Sequence, residues 1–135
     1  ARTVTSAGFG FAYHNHDFEF EGLTGQRPYD RLLAGTDPAL VGLELDLYWT
    51  RKAGEDPEQM LARLNGRVKL VHLKDMAADG DMADVGAGVM DYGALLKAAK
   101  AAGAEHFIVE HDRPADPWAS VEASLTHLRA LTATA

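Results

Sequence analysis

The segment AYHNHDFEF, residues 12–20, places two histidines two positions apart in a chain that has six histidines in all. Three further polar side chains stand at or near the ends of apolar segments: Asp46, His72 and Glu110. Imidazole and carboxylate groups are ligands for Mn²⁺, Mg²⁺, Co²⁺ and Zn²⁺, and by themselves they do not select among these ions. His14, His16, Asp46, His72 and Glu110 are therefore predicted to be candidate ligands of one divalent metal ion.

The number of carboxylates at the predicted site supports this interpretation. Glu44, Asp46 and Glu110 would repel one another in a buried site unless a cation lay between them. A single histidine at a strand end is more often a hydrogen-bonded core residue than a ligand, whereas agreement among four strands favours a metal. Glu44 lies one pleat deeper than Asp46 and is expected to contact a ligand rather than the ion. The remaining histidines are expected to have no chemical role: His106, His111 and His127.

The elements that must position these residues alternate between β-like and α-like segments. Apolar runs predict four strands: Phe9–His16, Val41–Tyr48, Val68–Lys74 and Phe107–His111. N-capping aspartates, prolines and terminal glycines predict four helices: Pro28–Ala34, Pro57–Leu64, Tyr92–Ala102 and Pro117–Leu131. The βα unit repeats roughly every 32 residues, whereas a closed eight-stranded barrel needs about 250 residues. Residues 1–135 are therefore predicted to be a single α/β domain of four βα units, half of a (β/α)8 TIM barrel, with an open four-stranded parallel sheet as the alternative.

Alternation along each strand predicts which side chains face the site, because successive residues point to opposite faces. One face receives the polar residues near the four strand ends: His14 and His16, Glu44 and Asp46, His72 and Lys74, Glu110 and Asp112. The opposite face is expected to pack beneath helices, and in the first strand it carries Phe9, Phe11 and Tyr13. An apolar stripe on the last helix is also predicted to face the core: Val121, Ala123, Leu125, Leu128 and Leu131. Parallel α/β folds build their sites at the C-terminal ends of the strands.

Composition excludes several classes of function. The net charge is −7 and no cluster of lysines or arginines could neutralise a run of phosphates, so nucleic acid is not expected as a partner. There is no cysteine, which excludes disulfides and thiolate sites. No apolar run approaches the length of a membrane span, and a cytoplasmic protein is expected. The segment DVGAGVMDYGALL lacks the full phosphate-loop pattern and is interpreted as a loop leading into a capped helix.

Five ordered motifs resemble one known family across essentially the whole chain. They are YHNHDFEF, GLELDLYWTRKAG, VKLVHLKDM, DVGAGVMDYGALL and FIVEHDRPADPWASVEASLTHL. They resemble the C-terminal half of the sugar phosphate isomerase/epimerase family, the xylose isomerase-like TIM barrels. That resemblance implies one divalent ion, Mn²⁺ most commonly, held by a Glu-Asp-His-Glu set. Asp46, His72 and Glu110 match the last three ligands, whereas the first strand offers His14 and His16 in place of the first Glu; the sequence leaves open which imidazole is the ligand.

The resemblance implies sugar isomerase or epimerase activity, in which two metal-bound glutamates pass a proton through an enediolate that the metal stabilises. Only Glu110 of that pair is present here, so a histidine is expected to serve as the other base, which also suits a dehydratase or lyase acting on a keto sugar or inosose. A non-catalytic sugar-binding barrel is the competing interpretation. Four residues are expected to contact the small-molecule sugar substrate: Lys74, Tyr48, Trp49 and Glu19.

The other half of the barrel is expected to come from outside these residues. The resemblance assigns the chain to strands five to eight, which leaves the outer strands with unpaired backbone edges. Either a homodimer of two half-barrels or association with the missing N-terminal half would cover those edges. The isolated half is expected to be a poor catalyst, because part of the substrate pocket lies in the other half.

Overall fold

A four-stranded parallel sheet is the centre of the computed structural model, which describes residues 1–133. The strands are β1 (Ala12–His14), β2 (Gly42–Asp46), β3 (Val68–Leu73), β4 (Asp75–Met76), β5 (Met82–Ala83) and β6 (His106–Val109). The helices are α1 (Arg2–Ser6), α2 (Pro28–Gly35), α3 (Leu47–Lys52), α4 (Pro57–Arg63), α5 (Tyr92–Ala101) and α6 (Pro117–Ala133), with a 3₁₀ turn at Phe18–Phe20. The sheet order is β1-β2-β3-β6, and β4 pairs with β5 as a separate antiparallel hairpin. The prediction of four parallel strands in an α/β fold is confirmed.

Three of the four predicted helices begin at an aspartate that caps them. The Asp56 carboxylate accepts the backbone N–H of Glu58 at 2.9 Å at the start of α4. Asp91 caps α5 through Ala94 N at 3.0 Å, and Asp116 accepts an N–H of the first turn of α6 at 2.9 Å. These contacts satisfy backbone donors that a helix start otherwise leaves free.

All four predicted strands end one or two residues earlier than their apolar patterns indicate. The prediction for Val41–Tyr48 is wrong at its end, because β2 stops at Asp46 and Leu47 begins α3. The Asp46 carboxylate accepts the N–H of Trp49 at 2.8 Å, so it caps a helix that the alternating pattern conceals. The first strand is also shorter than predicted. Phe9 and Phe11 precede β1 and are 69% and 41% exposed, so the expectation that they pack beneath helices is wrong.

A β-bulge near the start of β3 changes the expected alternation. Leu43 pairs with Val68 while Glu44 pairs with Leu70, so Lys69 is an extra residue in β3. Val68 and Val71 are consequently both buried in the core, although strict alternation predicts opposite faces for them. Beyond the bulge the alternation is regular, and it places His72 on the face opposite to Val71 and Leu73.

The apolar core lies between the sheet and the helices, and it includes Tyr29, Leu45, Leu61, Val71 and Leu95. Helix α6 contacts it differently from the prediction. Leu128 and Leu131 pack against the core as expected, whereas Val121, Ala123 and Leu125 are exposed. The buried positions on the N-terminal half of α6 are serines instead, because this part of the helix contacts a polar loop. Val85 N donates to Ser124 Oγ at 3.0 Å, and Ser120 Oγ donates to Asp84 Oδ1.

Strands β1 and β6 are the outer strands of this sheet, and neither pairs with a further strand within residues 1–133. None of the helices in that range combines the length and the apolar composition that a membrane crossing requires.

Candidate metal centre

The C-terminal ends of the four parallel strands bring four of the five predicted ligands together. One ligand atom from each of His14, Asp46, His72 and Glu110 lies within 4.8 Å of the others. The sheet register explains the convergence, since Asp46 pairs directly with His72 across β2 and β3. His14 ends β1, and Glu110 directly follows β6. These four residues are called the metal cluster below.

The contacts within the metal cluster centre on a few shared atoms. Asp46 Oδ2 lies 3.3 Å from His14 Nε2 and 3.6 Å from His72 Nδ1. His72 Nδ1 also lies 2.6 Å from Glu110 Oε2, and these two buried atoms are not aligned for a hydrogen bond with each other. The lone pairs of this unaligned pair are available to a cation at the point where the four ligand atoms converge. The residues therefore fit a divalent metal ion held by two imidazoles and two carboxylates.

Glu44 orients the imidazole of His72 from outside the metal cluster. Its Oε1 atom lies 2.8 Å from His72 Nε2, the ring nitrogen that points away from Glu110. A carboxylate on the distal nitrogen fixes the ring and leaves Nδ1 as the electron-pair donor. Glu44 thus occupies the supporting position that its depth in the strand predicts.

Asn15 is a supporting residue that sequence reasoning missed. It is fully buried between the two histidines of the first motif, and its Oδ1 atom accepts the Asp46 backbone N–H at 3.0 Å. Thr50 Oγ1 donates to the Asp46 carbonyl oxygen at 2.7 Å. These bonds fix the backbone of the central carboxylate. Alternation was the available signal, because an asparagine on the apolar face of the predicted strand Phe9–His16 needs a polar partner there.

The electrostatics of the metal cluster favour charged side chains. Burial by itself would raise the pKa of Asp46. Hydrogen bonds from His14, His72 and the Trp49 N–H, together with the positive charge of Lys74, outweigh burial and hold that pKa well below its usual range. Burial lowers the pKa of His72, whereas Asp46, Glu110 and Glu44 together raise it to about 8. A concentration of negative charge thus surrounds His72, as a cation-binding site requires.

Lys74 follows β3 and places its ammonium group among three carboxylates. Its Nζ atom lies 3.3 Å from Asp46 Oδ2, 3.0 Å from Glu110 Oε2 and 2.8 Å from Asp112 Oδ1, and the side chain is 1% exposed. Burial lowers the pKa of Lys74, but these carboxylates outweigh it and raise the pKa above its usual value. The prediction that Lys74 points into the mouth of the strands agrees with this placement. Asp112, which was predicted only to share the face, is its shortest contact.

The residue after Lys74 anchors a loop behind the site. The buried Asp75 carboxylate accepts four backbone N–H groups, from Met76 at 2.8 Å, Gly86 at 2.9 Å, Met90 at 3.1 Å and Gly88 at 3.2 Å. Tyr92 OH donates to the Lys74 carbonyl oxygen at 2.9 Å. The segment interpreted as a loop before a capped helix is therefore wrapped around Asp75, and the backbone of Lys74 is held in place from that side.

Two other predicted site residues, His16 and Trp49, lie beside the metal cluster and not within it. His16 is outside the cluster, with its ring 4.8 Å from that of His14, 5.6 Å from Phe18 and 5.3 Å from Trp49. The chain leaves the sheet after His14, so the two imidazoles do not converge on one point. Trp49 lies between His16 and Lys74, whose Nζ is 5.4 Å from the ring.

Glu19 and Tyr48 lie where they stabilise the fold. Glu19 is 3% exposed, and its two oxygens accept Tyr13 OH at 2.7 Å and His16 N at 2.8 Å. Burial, with the contact to Glu19, raises the pKa of Tyr13 to about 12. Tyr48 is buried and donates through its hydroxyl to Gly80 O at 3.1 Å, which ties α3 to the β4–β5 hairpin. Their placement favours packing and support over substrate contact.

Comparison with known proteins agrees with this geometry. A sequence model of the xylose isomerase-like TIM barrel matches residues 4–131. The chain belongs to that family. A sugar phosphate isomerase/epimerase from Parabacteroides distasonis is similar in structure, with a TM-score of 0.77 and 30% identity over 93% of this chain and 46% of that protein. This xylose isomerase-like chain thus spans about half the length of that relative, and its sheet corresponds to part of a barrel.

Two further relatives differ in the reaction that they carry out. An inosose dehydratase of Clostridium beijerinckii is 35% identical over 78 residues, which are 58% of this chain and 26% of the dehydratase. A 3-keto-D-glucoside 4-epimerase of Escherichia coli shares the fold with a TM-score of 0.68 at 17% identity, over 96% of this chain and 49% of that protein. The fold is that of an enzyme family; the epimerase shares the fold, and the dehydratase is similar in sequence.

Proposed function

We propose that the chain forms the metal-binding half of a sugar isomerase or epimerase that moves a proton next to a carbonyl group. The observation that carries the proposal is the convergence of His14, Asp46, His72 and Glu110 within 4.8 Å. These four side chains would hold the ion, with Mn²⁺ expected first and Mg²⁺, Co²⁺ or Zn²⁺ as alternatives. When bound, the cation would supply positive charge beside the oxygens of the substrate.

Two side chains at the site are suited to proton transfer. Glu110 has a side chain that is 39% exposed, against 0% for Asp46, so its carboxylate is the one that a substrate can reach. We assign it to take the proton from the carbon next to the carbonyl group. His16 lies outside the metal cluster, and its imidazole would return a proton to the opposite face. We assign His14 to the ion, so that one histidine of the pair is a ligand and the other is the base.

Dehydration of a keto sugar or inosose is the second candidate, favoured by the 35% identity to an inosose dehydratase. Both reactions begin when Glu110 removes the proton next to the carbonyl group. In dehydration the neighbouring hydroxyl then leaves as water, carrying a proton from His16, and a carbon–carbon double bond remains. In epimerisation the same carbon is protonated again.

A complete pocket needs more backbone than residues 1–133 supply. Strands β1 and β6 are both unpaired on one side, and the exposed apolar residues nearby include Phe11, Ile108, Trp118 and Val121. We propose that a second copy of the chain or the other half of the barrel covers these edges. Sedimentation tests the first version: a concentration-dependent dimer is expected, and a stable monomer would reject it.

Metal content and proton exchange together test the function. The chain, assembled with a second copy or with the other half of the barrel, is loaded with Mn²⁺, its metal content is measured, and a panel of keto sugars and inososes is incubated with it in D₂O. We expect deuterium to enter at the carbon next to the carbonyl group, with a new epimer or with loss of water. His72→Ala and Asp46→Ala should lose the metal, whereas the exposed His106→Ala, the matched control, should retain it.

A second variant separates catalysis from binding. His16→Asn should retain the metal and lose at least ten-fold in exchange rate, because the base is removed and the ligands are not. Sugar binding without exchange in the assembled protein would indicate the non-catalytic alternative. Equal metal retention in His72→Ala, Asp46→Ala and His106→Ala would reject the metal centre.

A further inference from the structure

We propose that Lys74 is a built-in counter-cation that weakens metal binding by competing for the ligand oxygens, and that Asp112 strengthens metal binding by drawing the ammonium away. The inference rests on the metal centre of the proposed function and concerns how tightly that centre holds its ion.

The ammonium group of Lys74 contacts the same oxygen atoms that the metal cluster shares. Asp46 Oδ2 is 3.3 Å from Lys74 Nζ and also 3.3 Å from His14 Nε2. Glu110 Oε2 is 3.0 Å from Lys74 Nζ and 2.6 Å from His72 Nδ1. Lys74 therefore neutralises two ligand carboxylates that a metal ion would otherwise neutralise. This contact stabilises the metal-free protein, since buried carboxylates without a cation repel one another.

Asp112 gives the ammonium a partner that is not a ligand. Its Oδ1 atom makes the shortest of the three contacts, at 2.8 Å, and it stands outside the group of four converging residues. Lys74 can keep this pairing when a cation takes the charge of Asp46 and Glu110. The face of the Trp49 ring, 5.4 Å from Nζ, adds a second favourable contact for the ammonium on this side.

The two members of one ion pair are thus predicted to act on metal affinity with opposite signs. Replacement of Lys74 removes a positive charge from beside the cation and releases two ligand oxygens. Replacement of Asp112 leaves Asp46 and Glu110 as the carboxylate partners of the ammonium, which makes their oxygens less available to a metal. If Asp112 acts through Lys74, its replacement should have little effect once Lys74 is gone.

Calorimetric titration of the metal-free chain with Mn²⁺ tests the proposal, together with the thermal midpoint of each metal-free variant. Lys74→Met should bind Mn²⁺ at least ten-fold more tightly, equal to about 1.4 kcal/mol, and should unfold at a lower temperature without metal. Asp112→Asn should bind about ten-fold more weakly. The double variant should match Lys74→Met within about three-fold. Lys69→Met is the control, because that lysine is 48% exposed and pairs with Glu105 at 3.4 Å.

The possible outcomes separate this proposal from the proposed function. Mn²⁺ binding by the wild-type chain with no tightening in Lys74→Met overturns the counter-cation role and leaves the metal centre intact. A wild-type chain that binds no Mn²⁺ overturns both. Should Lys74→Met fail to fold, Lys74→Gln supplies the same comparison with a polar side chain. An effect of Asp112→Asn that persists undiminished in the double variant also overturns the proposal, since Asp112 would then act on the ion directly.

Discussion

Replacement of Asp75 by asparagine should destabilise the chain more than almost any other single loss of charge. The buried carboxylate accepts four backbone N–H groups at 2.8–3.2 Å, two on each oxygen. Asparagine offers one oxygen, so two of the four donors would face an NH₂ group instead. A hydrogen bond to a charged acceptor contributes about 1.5–3 kcal/mol, which gives a loss of about 3–6 kcal/mol. This is a large share of the roughly 5–15 kcal/mol that stabilises a typical domain.

Urea unfolding measures this loss directly. With an m-value of about 2 kcal/mol/M, the midpoint of Asp75→Asn should fall by about 1.5–3 M without a change in m. Asp79→Asn is the matched control, because within residues 1–133 that exposed carboxylate accepts a single N–H, that of Asp81 at 3.1 Å. A free energy of unfolding for Asp75→Asn within about 1 kcal/mol of wild type would refute the reasoning, since it would mean that the four donors find other partners or water at no cost.

Three further predictions concern packing, acid stability and metal affinity. Gly88→Ala should lower the free energy of unfolding, measured in urea, by about 1–3 kcal/mol or more, because the new Cβ would lie 2.3 Å from the Asp75 carboxylate and the Met76 carbonyl oxygen. Gly35→Ala is the control and should not lower it, because nothing lies within 4 Å of a Cβ there. Asp30→Asn should cost about 1–3 kcal/mol at neutral pH. Arg27 lowers the pKa of Asp30, so this contribution is present above the unfolded-state pKa and is lost as pH falls through the lower folded-state pKa. The gap between variant and wild type should therefore close in acid, and a gap independent of pH would contradict the ion-pair explanation. Glu44→Gln should weaken Mn²⁺ binding about 10- to 100-fold by titration, and unchanged affinity would show that this carboxylate does not orient its imidazole partner.

The sequence predicts the metal cluster better than the elements around it. Asp46, His72 and Glu110 are predictable because parallel strands place their C-terminal ends at one edge of a sheet. His14 and His16 share parity, so alternation alone does not separate them. The structure does, because β1 ends at His14 and the chain then turns through Phe18–Phe20.

Other differences arise where local contacts outweigh a periodic pattern. Alternation of apolar residues continues through Leu47 and Tyr48, yet the capping bond of Asp46 begins a helix there. The stripe on α6 has helical spacing, but its N-terminal half contacts the polar loop at Asp84 and Val85, so serines are buried in place of the apolar residues. Periodicity reveals neither effect, because the cap is a local bond between a side chain and the backbone three residues on, and the buried serines depend on partners more than 30 residues away in sequence.

Because the bulge at Lys69 holds one extra residue, the length of β3 can change there without a change in the face that its later side chains occupy. Deletion of Lys69 would restore regular pairing between β2 and β3, and His72 would stay on the same face of the sheet. A one-residue change in chain length at this point would therefore not move the metal cluster. Gly42 accommodates the extra residue, since a Cβ there would lie 2.9 Å from Lys69 Cγ. We therefore expect an alignment gap at position 69 to occur with larger residues at position 42, a coupled change that leaves the chemistry of the strand end untouched.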